Sequence, residues 1–180
     1  MAIIRKPILK AQEGPDNTPQ DIAGIYSDAK SIGVSMLPFD IEGYLKKKGF
    51  KILFEDLDND LSGYIEKQHN DWVIGVNKYQ SPRRQRFTLA HEYAHYLYDK
   101  DMLDREKKHY DNVLFRSGTE QMPPERTANE FAASLLMPET TFKELLTKGI
   151  KTIDDLAESF NVSVAAVIYR AHKLGYTTKK

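Results

Sequence analysis

The spacing of apolar residues changes period twice along the chain, and those changes predict its elements. Ile22, Ile25, Tyr26, Ala29 and Ile32 recur at helical intervals after Thr18-Pro19 and stop at Gly33, which predicts a first helix. A second is expected from near Pro38 through Ile41, Tyr44 and Leu45 to Gly49. The period then shortens. Phe50 to Glu55, Gly63 to Glu66 and Trp72 to Val76 are β-prone runs, separated by the turn-forming Asp58-Asn59-Asp60 and His69-Asn70-Asp71. Helical spacing returns at Ser81-Pro82, a cap followed by proline at the first helical position, with Phe87, Ala90, Ala94 and Leu97 as an apolar stripe. Residues 99–121 are charged and irregular and read as a solvated loop ahead of a lid, with a strand at Val113-Leu114-Phe115. Pro123-Pro124 opens a helix from Glu125 to Met137, and a shorter one spans Thr140 to Lys148.

These elements imply an α+β fold in which a small, mainly antiparallel sheet packs on the helix that follows it. The Ser62-Gly63 run is the expected exposed sheet edge, where an extended peptide could add as a strand.

Composition narrows the classes. The chain has 180 residues, 41% hydrophobic and 29% charged, which suits one compact domain or one domain with a small appendage. With 26 basic and 26 acidic residues there is no global field to attract nucleic acid. Cysteine is absent, which excludes disulfides, thiol catalysis and cysteine-ligated metal. No apolar run approaches a membrane span and Met1-Ala2-Ile3-Ile4-Arg5-Lys6 lacks a signal core, so a soluble cytoplasmic protein with no membrane partner is expected.

Candidate chemistry is concentrated in His91-Glu92-Tyr93-Ala94-His95. Residues i and i+4 of a helix share a face, so both imidazoles can reach one zinc ion while Glu92 stands beside it as a base for water. With five histidines in the chain, an accidental match to this pattern is expected roughly 0.01 times. On these five residues alone, the alternative is a surface helix with two solvated histidines.

Catalytic zinc takes three protein ligands and keeps an open position. A metzincin would place a third histidine six residues beyond His95, where this chain has Asp101, and a glycine where it has Tyr98. A ligand from the downstream helix fits better. There Glu125 and Asn129 are i, i+4 neighbours, so Glu125 can ligate while Asn129 supports a ligand; equally, Glu125 can be an acidic first-turn residue favoured by the helix dipole. Ala128, Ala132 and Ala133 allow close helix approach. His69 reads as a turn residue and His172 as a surface residue. His109 reads as a loop residue and, with Tyr110, is the candidate for oxyanion stabilisation.

The segment Arg84-Gln85-Arg86-Phe87-Thr88-Leu89-Ala90-His91-Glu92-Tyr93-Ala94-His95 resembles the signature of the ImmA/IrrE family of metallopeptidases, and Glu125 to Pro138 resembles its second block. Similarity extends from about Pro38 to the C-terminus. Tyr93-Ala94 replaces the more usual leucine-glycine, and residues 99–121 are long, which bears on the shape of the substrate cleft. The resemblance implies a zincin-like minimal peptidase core with His91, His95 and Glu125 as ligands of one Zn2+ ion and Glu92 as the catalytic glutamate. It also implies a substrate, a helix-turn-helix transcriptional repressor whose cleavage relieves repression of a prophage, a mobile element or a stress response. The competing function is a zinc-containing regulator that acts by binding a partner or DNA without proteolysis.

The expected organisation is a tail or linker over residues 1–17, a zinc metallopeptidase domain over 18–148, and a helix-turn-helix-like segment over 149–180, packed on the peptidase or appended to it. In that segment Thr152 and Ser163 are caps, Asn161 is the left-handed turn residue, and Leu156, Ala157, Phe160, Val162 and Val167 form the core. DNA binding is not favoured, because the second helix offers only Arg170, His172 and Lys173, late in its length, while the first carries Asp154, Asp155 and Glu158.

Overall fold

A computed structural model describes residues 3–5, 22–99, 103, 108–112 and 123–179. In chain order the elements are β1 (Ile3–Arg5), α1 (Ile22–Ser31), α2 (Ile41–Lys47), β2 (Lys51–Glu55), β3 (Leu61–Gln68), β4 (Asp71–Asn77), α3 (Pro82–Tyr98), β5 (Lys108–Asn112), α4 (Pro123–Leu136), α5 (Glu139–Thr147), α6 (Ile153–Phe160), α7 (Val164–Lys173) and β6 (Thr177–Lys179). The architecture is α+β.

Local chemistry sets the helix ends. Ser81 caps α3 through its hydroxyl to Arg84 N, with Pro82 at the first helical position. The second helix starts at Ile41 rather than near Pro38 because the Asp40 carboxylate accepts from Gly43 N at 3.0 Å. Thr152 and Ser163 cap α6 and α7, and Asn161 between them adopts φ 51° and ψ 52°.

The main sheet has the order β2-β4-β3-β5. A two-residue turn joins β3 to antiparallel β4, with His69 at the positive φ (56°) that such a hairpin takes at its first position. β2 runs parallel to β4 on the far side. On β3's other side lies antiparallel β5, with a register shift between Leu61 and Gly63. This placement corrects two expectations. Ser62-Gly63 is no sheet edge, since β3 is paired on both sides and Ser62 is fully buried. His109 is a strand residue opposite Ile65, not a loop residue. The expected strand at 113–115 lies outside the described residues. Ile3–Arg5, expected in the tail, pair with β6.

Ile65, Ile74 and Val76 turn one sheet face to the helices. There α3 is packed between the β3–β4 surface and α4, which is why Thr88 through His95 are all buried, more than the predicted stripe allows. Close approach of α3 to the sheet depends on Gly63, whose added Cβ would lie 2.5 Å from Thr88 Cγ2 and 2.6 Å from the Gly75 carbonyl. One hydrophobic core joins α1 and α2, the sheet, α3, α4 and the C-terminal helices, down to Phe160, Val167 and Ala171.

Two of the cations weighed for DNA contact already have partners within the chain, one buried and one at the surface. Arg170 is buried and its Nε donates to Met137 O at 3.0 Å, while Lys173 pairs with Glu130. Among the described residues no helix is long and apolar enough to cross a membrane.

Candidate metal centre

Two helices and one strand meet at the buried end of α3. His91 and His95, one turn apart, direct their Nε2 atoms to within 3.1 Å of each other. From the first turn of α4, Glu125 places Oε2 3.2 Å from His91 Nε2 and Oε1 3.4 Å from His95 Nε2. Both histidines are fully buried and Glu125 is 8% exposed.

Each imidazole is oriented from behind. His91 Nδ1 lies 3.0 Å from Asn129 Oδ1, one turn beyond Glu125 on α4, and His95 Nδ1 lies 2.7 Å from Asp99 Oδ2 at the C-cap of α3. Oxygen acceptors on both Nδ1 atoms place the ring protons there and leave the Nε2 lone pairs facing inward. Two nitrogen lone pairs and a carboxylate thus converge on one point, an arrangement that repels itself unless a positive charge sits in the middle. A proton taken up on an Nε2 relieves the same repulsion by donating to Glu125, and the shifts follow from that. Burial works against a charged His95, but the hydrogen bonds to Asp99 and Glu125 outweigh it and push its pKa up to about 9. Burial likewise opposes the Glu125 anion, yet hydrogen bonds from His109, His91 and His95 hold it well below the usual carboxylate range.

The donor set fits a divalent ion. His91, His95 and Glu125 each offer one ligand atom, all within 4.8 Å of one another. Ligands about 2.1 Å from a tetrahedral zinc lie about 3.4 Å apart. The Nε2–Nε2 distance of 3.1 Å and the 3.2 Å from Glu125 Oε2 to His91 Nε2 are close to that. Two imidazoles and one carboxylate without thiolate also form the set that catalytic zinc uses with a position left open.

Glu92 follows His91 on α3 and is fully buried; its Oε1 is 3.7 Å from where a Gly63 Cβ would stand, so it lies against β3 beside the cluster. His109 reaches the site from β5, with Nε2 3.2 Å from Glu125 Oε1 and its ring centroid 4.4 Å from that of His95. Tyr110 is not brought there. It falls on the opposite face of β5, half-exposed, with its ring 5.9 Å from that of Tyr64. Asp99 is the site residue that sequence reasoning missed; the signal available was its i+4 spacing from His95.

The chain matches the family model of the IrrE N-terminal-like domain, Peptidase M78, over residues 45–172. It is 34% identical over 112 residues to the radiation response metalloprotease IrrE of Deinococcus radiodurans, covering 59% of this chain and 32% of that protein. The IrrE of Deinococcus deserti is likewise 34% identical over 112 residues, covering 59% of this chain and 37% of the relative. The chain therefore spans about a third of the length of these curated relatives. A Mycobacterium tuberculosis transcriptional regulator shares the fold, with a TM-score of 0.56 at 18% identity over 86% of this chain and 47% of the other. A match that takes in His91 to His95, Glu125 and most of the core makes this chain a member of the Peptidase M78 family, the IrrE N-terminal-like domain.

Proposed function

We propose that this chain is a cytoplasmic, zinc-dependent endopeptidase that hydrolyses a peptide bond in a regulatory protein, a helix-turn-helix transcriptional repressor, and so relieves repression. One observation carries the reading: a buried carboxylate, Glu92, follows the first of three ligand atoms that converge on one point. A purely structural site has no need of a base there.

When bound by His91, His95 and Glu125, a zinc ion supplies Lewis acidity, lowering the pKa of water to about 7 and polarising a scissile carbonyl. The protein does the rest. Asn129 and Asp99 fix the two ring orientations, so the donor atoms need no reorganisation. Glu92 accepts a proton from the attacking water on one of its carboxylate oxygens and returns it to the leaving amine. Burial of all four side chains keeps bulk water from competing for that proton.

A repressor substrate is supported by the family resemblance, and a stress-linked trigger by the name radiation response metalloprotease carried by the two relatives. We read α6 and α7 as a helix-turn-helix-like segment that serves packing or partner recognition rather than DNA binding, since Arg170 and Lys173 are spent on Met137 and Glu130. The division into a peptidase domain over 18–148 and this C-terminal segment is part of the same proposal.

The test is co-expression with helix-turn-helix repressors taken from the same genome, beginning with any encoded beside this gene. Glu92→Gln is expected to retain zinc and to lose cleavage by at least about 100-fold. Unchanged cleavage in that variant would sink the mechanism. Derepression that survives Glu92→Gln but is destroyed by deletion of residues 150–180 would favour the binding function instead.

A further inference from the structure

β5 carries Lys108, His109, Tyr110, Asp111 and Asn112, a run with no apolar alternation, and it is hydrogen-bonded into the sheet against β3. Its register pairs His109 with Ile65 and Tyr110 with Tyr64. Residues directly opposite share a face, so His109 lies on the side of the sheet where Ile65 enters the core and α3 packs. There its Nε2 meets Glu125 Oε1 at 3.2 Å.

Glu125 needs such a partner. The terminal torsion of a glutamate is broad and roughly two-fold, so a first-turn residue of α4 does not by itself settle where its two oxygens point. Oε2 faces His91 Nε2 at 3.2 Å, whereas Oε1 faces both His95 Nε2 at 3.4 Å and His109 Nε2 at 3.2 Å. An N–H from His109 to Oε1 occupies that oxygen and holds the carboxylate plane, which leaves Oε2 directed at the cluster. The His109 ring is itself restrained, packed at a 50° tilt against the buried His95 ring with centroids 4.4 Å apart.

We propose that His109 is a positioning residue for the third metal ligand: it donates to Glu125 Oε1 and sets the orientation in which that carboxylate meets the ion. This assigns His109 a task other than oxyanion stabilisation, because its Nε2 is turned to the ligand. The inference rests on the reading of His91, His95 and Glu125 as metal ligands.

The test uses the full chain loaded with Zn2+ and challenged with a chromophoric chelator, so that no substrate enters the readout. His109→Phe keeps a ring against His95 but removes the donor; His109→Leu is a second apolar replacement on the strand; His109→Gln keeps an N–H at similar reach. Phe and Leu are expected to weaken zinc retention about 10–100-fold, the range for groups that orient metal ligands, and Gln to recover most of that loss. Thermal unfolding of the metal-free proteins is expected to stay together across the series, because His109 contributes to the ion's site and not to the core. The proposal is overturned if Phe and Leu hold zinc as tightly as the parent, or if Gln loses as much as Phe. Failure of the parent chain to bind Zn2+ shows in its own titration and removes the ligand reading itself, so the two failures are told apart.

Discussion

His95 is held by Asp99 at 2.7 Å, a shorter hydrogen bond than the 3.0 Å between His91 and Asn129. The acceptor is a carboxylate, so the bond is charge-assisted and should matter more than an amide contact. Asp99→Ala removes it while leaving α3 its length, and we expect zinc affinity to fall about 10–100-fold. Competition titration of the purified variant would show this; an affinity equal to the parent's would mean that helix packing alone orients His95. His91 and His95 were legible from a spacing internal to one helix, whereas the spacing of Glu125 and Asn129 left Glu125 open between a ligand and a first-turn acid until the family resemblance was added. Asp99 was missed and His109 was named only for oxyanion stabilisation, each for its own reason. Asp99 terminates its helix, where aspartate has an ordinary explanation as a polar end residue. His109 acquires its role only when β5 pairs with β3, a contact between segments whose sequences do not announce each other.

The same contrast holds for elements. α1 and α3 to α7 were legible because each has an apolar stripe bounded by a cap, a proline or a glycine. β2, β3 and β4 were legible from their β-prone runs and the turns between them, but the fourth strand was not: Lys108 to Asn112 has no period of its own, so the sequence places an edge at Ser62-Gly63 where the fold has an interior strand. The parallel pairing of β2 with β4 is equally a property of the assembled sheet. Gly63 is a point where the sheet and α3 constrain each other. A Cβ there would meet Thr88 Cγ2 and the Gly75 carbonyl, and backbone cannot retreat as a flexible side chain can. Gly63→Ala should therefore push α3 away from β3 and cost about 1–3 kcal/mol. That corresponds to a melting temperature lower by several degrees, and with Glu92 beside the same atom, activity should fall at temperatures where the variant is still folded. A melting temperature within one degree of the parent's would show that the sheet yields without strain.

At the scale of the whole molecule, long-range polar ties hold distant parts of the chain to one core. Arg86 on α3 donates to Phe39 O at 2.8 Å and to Asn161 O at 3.1 Å, reaching both the segment before α2 and the turn between α6 and α7. Three tyrosine hydroxyls make further ties. Tyr26 donates to Leu135 O at 2.7 Å and joins α1 to α4; Tyr44 donates to Asp28 at 3.0 Å and joins α2 to α1; Tyr64 donates to Glu55 and joins β3 to β2. All three are pushed above the ordinary tyrosine value, first by burial and, for Tyr44 and Tyr64, also by hydrogen bonds that favour the neutral phenol. The sign of the linkage follows. Below pH of about 10 these phenols are protonated in folded and unfolded chains alike, so they make stability independent of pH. Above it the unfolded chain releases protons that the folded chain retains, so stability must fall as pH rises towards the folded values. Urea midpoints of the metal-free protein should therefore decline between pH of about 9.5 and 11.5, with phenolate absorbance from these residues appearing together with unfolding. Tyr26→Phe removes one of the three groups, and its decline should be shallower than the parent's. A parent midpoint that stays level through this range would mean that the three hydroxyls ionise within the folded state, and that the ties from α1 to α4 and across β2 and β3 do not depend on them.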